Sequence, residues 1–126
     1  MNLLLDTHVF LWWIDDAPEL GPAARDAIAD PQALVLISAA SAWEIAVKAA
    51  LGRISIHRDD VLGAIHDSGF TELPVRAEHG LTAGALPPHH RDPFDRMLVA
   101  QAHVERLTLV TRDRRIEPYD VQVLWA

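Results

Sequence analysis

Five carboxylates stand where the chain passes from one type of element to another. Asp6 directly follows Leu3-Leu4-Leu5, and Glu44 lies in a long apolar stretch between Trp43 and Ile45. Asp92 and Asp95 bracket Pro93-Phe94, and Asp113 follows Val110-Thr111-Arg112. Each has an ordinary structural role open to it. Asp6 can cap a helix that opens at Thr7. Glu44 can pair with Lys48 one turn later, for a few tenths of a kcal/mol. Asp92 as cap with Asp95 at the third helical position makes an Asp analogue of the capping box, and Asp113 can close an Asx turn before Arg114. Two of these acids brought to about 4 Å would repel by about 4 kcal/mol at an effective dielectric of 20. Several in one hollow therefore need protons or a counter-charge. A divalent cation supplies that charge, and an all-oxygen donor set favours Mg²⁺ or Mn²⁺ over zinc.

The elements that would gather these acids follow from periodicity. Leu3 to Leu5 and Ala33 to Ile37 are short, wholly apolar runs and read as strands buried on both faces. Phe70 to Val75 is a weaker, alternating third, with Pro74 marking an end or an edge. Leu107 to Val110 is a fourth and Val121 to Leu124 a fifth. Helical patterns lie between them at Thr7 to Ile14, Pro22 to Ala29, Ala39 to Leu51, Asp59 to His66, Ala77 to Ala85 and Pro93 to Val104. Gly52 suits the stop of the third, and Asp92-Pro93 the start of the last. Strands alternating with helices predict an α/β fold of three layers, a mainly parallel sheet of four or five strands between helices. Such sheets place their functional crevice beyond the carboxyl ends of the strands, where strand order reverses. Asp6, Ser38 and Thr111 to Asp113 all fall at those ends. Glu44 shares a helix face with Ala40, Val47 and Leu51, an odd setting for a lone surface charge.

A chain of 126 residues, 50% hydrophobic and 23% charged, predicts one packed domain over 1–126 with no linker or repeat. The lack of cysteine excludes a disulfide framework, a Cys-zinc site and thiol catalysis. The apolar run Val9 to Ile14 is too short to span a membrane, and no basic leader precedes it, which points to the cytoplasm. A net charge of −7 argues against a nucleic-acid coat protein, but not against an enzyme that acts on nucleic acid with carboxylates on metal. The basic residues are unevenly spread, with Arg91, Arg96, Arg106, Arg112, Arg114 and Arg115 in the last third.

Taken together, LLLDTHVFLWW, SAASAWEIAVKAALGRI, LPPHHRDPFDRMLVAQA and LTLVTRD resemble the PIN-domain family, and within it the VapC-type toxins of bacterial toxin–antitoxin pairs. The resemblance covers essentially the whole chain. It implies an acidic quartet of Asp6, Glu44, Asp95 and Asp113 as metal ligands and catalytic residues, with Asp113 a ligand or an outer-shell acid. Asp95 rather than Asp92 matches the family's helix, leaving Asp92 as a cap or outer-shell acid. Thr7 and Thr111 match polar positions beside the acids. The implied activity is Mg²⁺- or Mn²⁺-dependent endoribonuclease hydrolysis of RNA phosphodiesters. The implied partners are a VapB-type antitoxin, laid over the acidic groove by its C-terminal segment, and a second copy of the chain.

Other residues are read from their surroundings. Arg112, Arg114 and Arg115 flank Asp113, and Arg91 and Arg96 flank the other acid pair, where they can steer phosphate or simply form a solvated face. Adjacent His89 and His90 cannot readily aim both rings at one ion and are expected in a surface loop. His8 beside the acids is a weak candidate for proton transfer. Trp12, Trp13, Trp43 and Trp125 can stack bases, but on apolar elements they are expected in the core or a dimer surface. A receiver-like phosphoryl-transfer domain would need an acidic pair after the first strand and a late lysine, and the only lysine is Lys48. An Asp-nucleophile phosphatase would need an acid at position 8, which is His. The non-enzymatic alternative is an α/β interaction module whose acids are caps and ion pairs.

Overall fold

The computed structural model describes residues 1–126, and its centre is the strand that the three leading leucines form. That strand, β1 (Asn2–Leu5), is followed by α1 (Thr7–Ile14), α2 (Pro22–Ala29), β2 (Leu34–Ser38), α3 (Ala39–Ala50) and α4 (Arg58–Asp67). Then come β3 (Thr71–Leu73), α5 (Ala77–Ala85), α6 (Pro93–Glu105), β4 (Thr108–Thr111), a 3-10 turn at Arg114–Ile116 and β5 (Gln122–Trp125). The five strands form one sheet in the order β3-β2-β1-β4-β5, and every pairing is parallel. The expected mainly parallel sheet is thus wholly parallel.

Alternation along the strands divides the core in two. Leu3, Leu5, Val35, Ile37 and Val110 face one side, where they pack with Val9 and Phe10 of α1, Ala24 and Ile28 of α2, Ile45 of α3 and Val61 of α4. Leu4, Leu36 and Leu109 face the other, against Leu98, Val99 and Ala102 of α6. Helices on both faces cover the central strand's two rows of side chains, which is why the buried part of β1, Leu3 to Leu5, is wholly apolar. Because β2 and β4 lie on opposite flanks of β1, the chain reverses its winding at β1, and the crevice opens beyond Leu5.

Local chemistry sets the ends. Gly52 carries α3 into its turn at φ +72°, a conformation that favours glycine. The third strand is shorter than the run Phe70 to Val75 suggests. The Phe70 N–H is taken by the Ile65 carbonyl at the end of α4, and Pro74 has no N–H to give.

The loop entering α6 is fixed from inside by Arg96. Its Nη1 donates to the carbonyls of Pro87 (3.1 Å) and His90 (3.2 Å), and its Nη2 to those of Ala83 (2.8 Å) and Leu86 (3.0 Å). The Tyr119 hydroxyl completes the hold, donating to Pro87 O at 2.7 Å and accepting from His90 N at 2.9 Å. A planar fork reaches four carbonyls where a single ammonium cannot. Arg96→Lys is therefore expected to lower unfolding stability by about 2 kcal/mol, on the scale of hydrogen bonds to a charged group, and Tyr119→Phe by about 1 kcal/mol. Urea unfolding reads both as a fall in midpoint at constant slope. An unchanged midpoint in Arg96→Lys would dismiss the guanidinium as the brace of this loop.

Candidate active site

Asp6 sits at the mouth of the crevice and serves two purposes at once. Its Oδ1 accepts the Val9 N–H at 2.8 Å, so it caps α1, while its Oδ2 accepts the Thr111 hydroxyl at 2.5 Å. It is nonetheless buried, at 5% exposure. Capping and membership of an acidic cluster are thus compatible at this position. The neighbouring Thr7 reaches the next acid, donating from its hydroxyl to Glu44 Oε1 at 2.6 Å, with the Ser41 hydroxyl 3.0 Å away.

Glu44 projects from α3 into the same region and is 3% exposed. Its Oε2 pairs with Lys48 Nζ at 2.6 Å, so the expected i,i+4 pair exists, but as a partly buried one. Asp95 comes from the first turn of α6, behind its cap. That cap is Asp92, whose Oδ1 accepts from Phe94 N at 2.8 Å and Asp95 N at 3.3 Å. Asp113 follows β4 and caps the 3-10 turn, accepting from Arg115 N and Nε at 3.0 Å and from Arg115 Nη2 at 2.9 Å. Thr111 links the last acid to the first, since its oxygen accepts the Asp113 N–H at 3.1 Å.

The charge state of the cluster records its crowding. Burial pushes the Asp6 carboxyl above its ordinary range, against the opposing hydrogen bonds of Thr111 and Val9, and Glu44 adds to the rise. Burial first, then the charge of Asp92, pushes Asp95 up to about 7, with Glu44 and Asp6 contributing. Asp113 is the contrast. Burial would raise it, but the hydrogen bonds from Arg115 and His90 and the charge of Arg115 bring it down to about 2. Asp6, Glu44 and Asp95 therefore feel one another as like charges, with Lys48 as the one cation paired inside the group. An excess of buried carboxylate, all hard oxygen donors, fits a divalent cation such as Mg²⁺ or Mn²⁺.

The basic residues near the acids are mostly engaged. Arg96 holds the loop carbonyls described above, a role that neither phosphate steering nor a solvated face anticipates. Arg112 stacks over Trp12 at 4.5 Å, donates to Ala126 O at 3.0 Å and also bonds Glu19 O. Arg114 lies 4.0 Å over the Trp125 ring. Arg115 is tied to Asp113 yet remains exposed. Arg91 is exposed and makes no hydrogen bond or ion pair, leaving its guanidinium available.

One histidine expectation needs revision, and Trp43 falls on the surface side of its expected core or dimer-surface setting. It stands 65% exposed beside Glu44, edge-on to Phe94 at 5.0 Å. The surface-loop expectation for the histidine pair holds only for His89, which is exposed against Tyr119. His90 turns inward, 3% exposed, with Nε2 at 2.7 Å from Asp113 Oδ2 and 3.1 Å from Asp95 Oδ2. The adjacency argument treated the two rings as one unit, but successive residues of a non-helical loop can face opposite ways. The available signal was Asp92-Pro93 two residues on, which fixes where the preceding backbone must point.

Residues 3–122 match the family model described as the PIN domain. Over 121 residues, 94% of this chain and 92% of the relative, the sequence is 32% identical to Ribonuclease VapC22 of Mycobacterium tuberculosis (strain ATCC 25618 / H37Rv). Among solved structures, VapBC2 from Rickettsia felis bound to a DNA fragment from their promoter superposes with TM-score 0.74 at 16% identity, covering 99% of this chain and 98% of that one. The DNA-bound VapBC from Salmonella typhimurium gives 0.72 at 18% identity with the same coverage. VapBC-1 from nontypeable Haemophilus influenzae gives 0.65 at 20% identity, covering 98% and 97%. At such identities the structures speak for the fold, and the fold agrees with the match along the sequence: the chain belongs to the PIN-domain family, among its VapC-type members.

Proposed function

We propose that this chain is the toxin of a toxin–antitoxin pair and acts as a metal-dependent endoribonuclease on RNA phosphodiesters. One observation carries the reading: carboxylates from the end of β1, from α3 and from the first turn of α6 share the crevice, where burial and neighbouring carboxylates raise the proton affinity of Asp6 and Asp95, and the only lysine there is paired with Glu44. The name of the relative, Ribonuclease VapC22, supports the substrate class. Asp6, Glu44 and Asp95 would hold Mg²⁺ or Mn²⁺. Both oxygens of Asp113 already accept donors, which suits an outer position. When bound, such a cation polarises a phosphate oxygen and lowers the pKa of a coordinated water.

The chain's own side chains supply the order. Thr111 and the Val9 N–H fix Asp6, while Thr7 and Lys48 fix Glu44, so neither acid reorients as charge develops. Arg91, free at the rim, draws the phosphate backbone toward the acids against the overall charge of −7. The VapBC complexes among the structural relatives support a VapB-type antitoxin as partner, and a homodimer is part of the same proposal. No helix is long and apolar enough to cross a membrane.

Mutation separates this reading from the cap-and-ion-pair alternative. Asn caps helices as well as Asp does, so Asp6→Asn is expected to keep or raise metal-free stability while cleavage of a single-stranded RNA falls at least ~10²-fold. Asp95→Asn is expected to lose cleavage similarly. Full cleavage by either variant would refute the catalytic assignment.

The pH dependence gives a second test. Asp95, near 7, and Asp6, also raised, bind protons more tightly folded than unfolded. Their contribution is complete below the ordinary carboxylate range and disappears as pH rises toward 7. Asp113, near 2, works oppositely, contributing above that range and failing as pH falls toward 2. The metal-free melting temperature should therefore decline from about pH 4.5 to about pH 7.5, at which end millimolar Mg²⁺ or Mn²⁺ should restore it most. An equally steep decline in Asp95→Asn, or no response to either cation, would count against the site.

A further inference from the structure

We propose that His90 is a positioning residue whose Nε2–H is donated to Asp113 while its ring edge stands against the Asp95 carboxylate, and that this nitrogen is not a metal ligand. The inference rests on the metal-site reading above and assigns a role to a buried side chain that reading leaves idle. At first sight His90, Asp95 and Asp113 form a mixed nitrogen–oxygen metal tripod, since one ligand atom from each lies within 4.8 Å of the others. The hydrogen bonds around the ring decide otherwise.

His90 Nδ1 faces the backbone N–H of Asp92 at 3.1 Å. That group can only donate, so Nδ1 accepts and carries no proton. The ring hydrogen is thereby on Nε2. Nε2 in turn donates that hydrogen to Asp113 Oδ2 at 2.7 Å, and Asp95 Oδ2 stands 3.1 Å from the same nitrogen. A nitrogen holding that proton has no lone pair for a cation. Turning the ring over would break its bonds to the Asp92 N–H and to Asp113 together, in a loop whose His90 backbone N–H and carbonyl are held by Tyr119 Oη and Arg96. The side chain is 1% exposed, so water does not compete for the donor.

The consequence is a division of labour between two acids from distant segments. Asp113 has both oxygens filled, by Arg115 and His90, and acts as the anchor. Asp95 accepts no side-chain hydrogen bond, and the His90 ring edge is 3.1 Å from its Oδ2. His90 thus sets the orientation of the α6 acid from the turn after β4, acting on the cation through Asp95.

The ring nitrogens can be read directly in the wild-type protein labelled with ¹⁵N-histidine. Long-range ¹H–¹⁵N spectra should show Nε2 protonated and Nδ1 bare, with the same pattern after Mg²⁺ is added to saturation. Loss of the Nε2 proton on adding Mg²⁺ would overturn the proposal. In parallel, His90→Leu should weaken Mg²⁺ binding, measured by calorimetry, by about 10–100-fold, and lower kcat for RNA cleavage by a similar factor with KM little changed. His90→Gln, which keeps an N–H donor at comparable reach, should recover most of both. Gln no better than Leu would also overturn it. The spectra and calorimetry use no RNA, so a wild-type protein that cleaves none would defeat the ribonuclease reading and leave this one standing.

Discussion

The structure is organised around a repulsion. Carboxylates that would separate in an unfolded chain are pressed together at the carboxyl end of a parallel sheet, and burial first, with the neighbouring charges adding to it, makes Asp6 and Asp95 hold their protons more tightly. Parallel strands bring this about because their ends all lie on one side, and because β1 has β2 on one flank and β4 on the other. Leu3, Leu4 and Leu5, all 0% exposed, are what hold Asp6 at that point. Their burial on both faces of the sheet outweighs the electrostatic penalty of the residue that follows.

Each acid is then held by a group from elsewhere in the chain. Thr111 of β4 holds Asp6 at the end of β1, Thr7 of α1 holds Glu44 of α3, and His90 of the loop before α6 bridges to Asp113 beyond β4. The hydroxyls of Thr7 and Thr111 are small, neutral donors, so they orient carboxylates without neutralising them. Lys48 and Arg115 do neutralise, each through one acid, Glu44 and Asp113, and neither is paired with Asp6 or Asp95. The distinction leaves the centre electron-rich and its periphery balanced, a pattern suited to receiving a cation. Farther out, Arg96 and Tyr119 keep the histidine loop in place through backbone carbonyls, so the order of the site extends well past the atoms that meet substrate.

Most of the architecture was legible from periodicity, since wholly apolar runs and amphipathic stretches alternate with clear caps. The helices at Thr7, Pro22 and Ala77 begin and end where the pattern places them. The third strand was overextended because an alternating run shows side-chain preference and not whether its N–H groups are free to pair. The acids were legible for a related reason: Glu44 stands on an apolar helix face, and Asp6 and Asp113 follow apolar strands. What the sequence left open was the partner of each polar group. Arginines near acids look alike on paper, whether they bind carbonyls as Arg96 does, lie on tryptophans as Arg112 and Arg114 do, or stay free as Arg91 does. His90 fell in the same gap, for its role depends on a backbone N–H two residues away and on carboxylates met only after folding.

The hydrogen bond from Thr111 to Asp6 joins residues separated by 105 positions, and β1, near the amino end, lies between one strand made early and another made late. Long-range parallel pairing of this kind forms slowly, because the intervening chain must be closed into a loop before any contact rewards it. During synthesis, Asp6 and Glu44 emerge well before the segment that carries Asp95, Thr111 and Asp113. A nascent polypeptide therefore holds only fragments of the acidic cluster. Assembly of the complete centre waits on the segment from α6 to the turn after β4, and what emerges before it carries an acidic end without its closing strand.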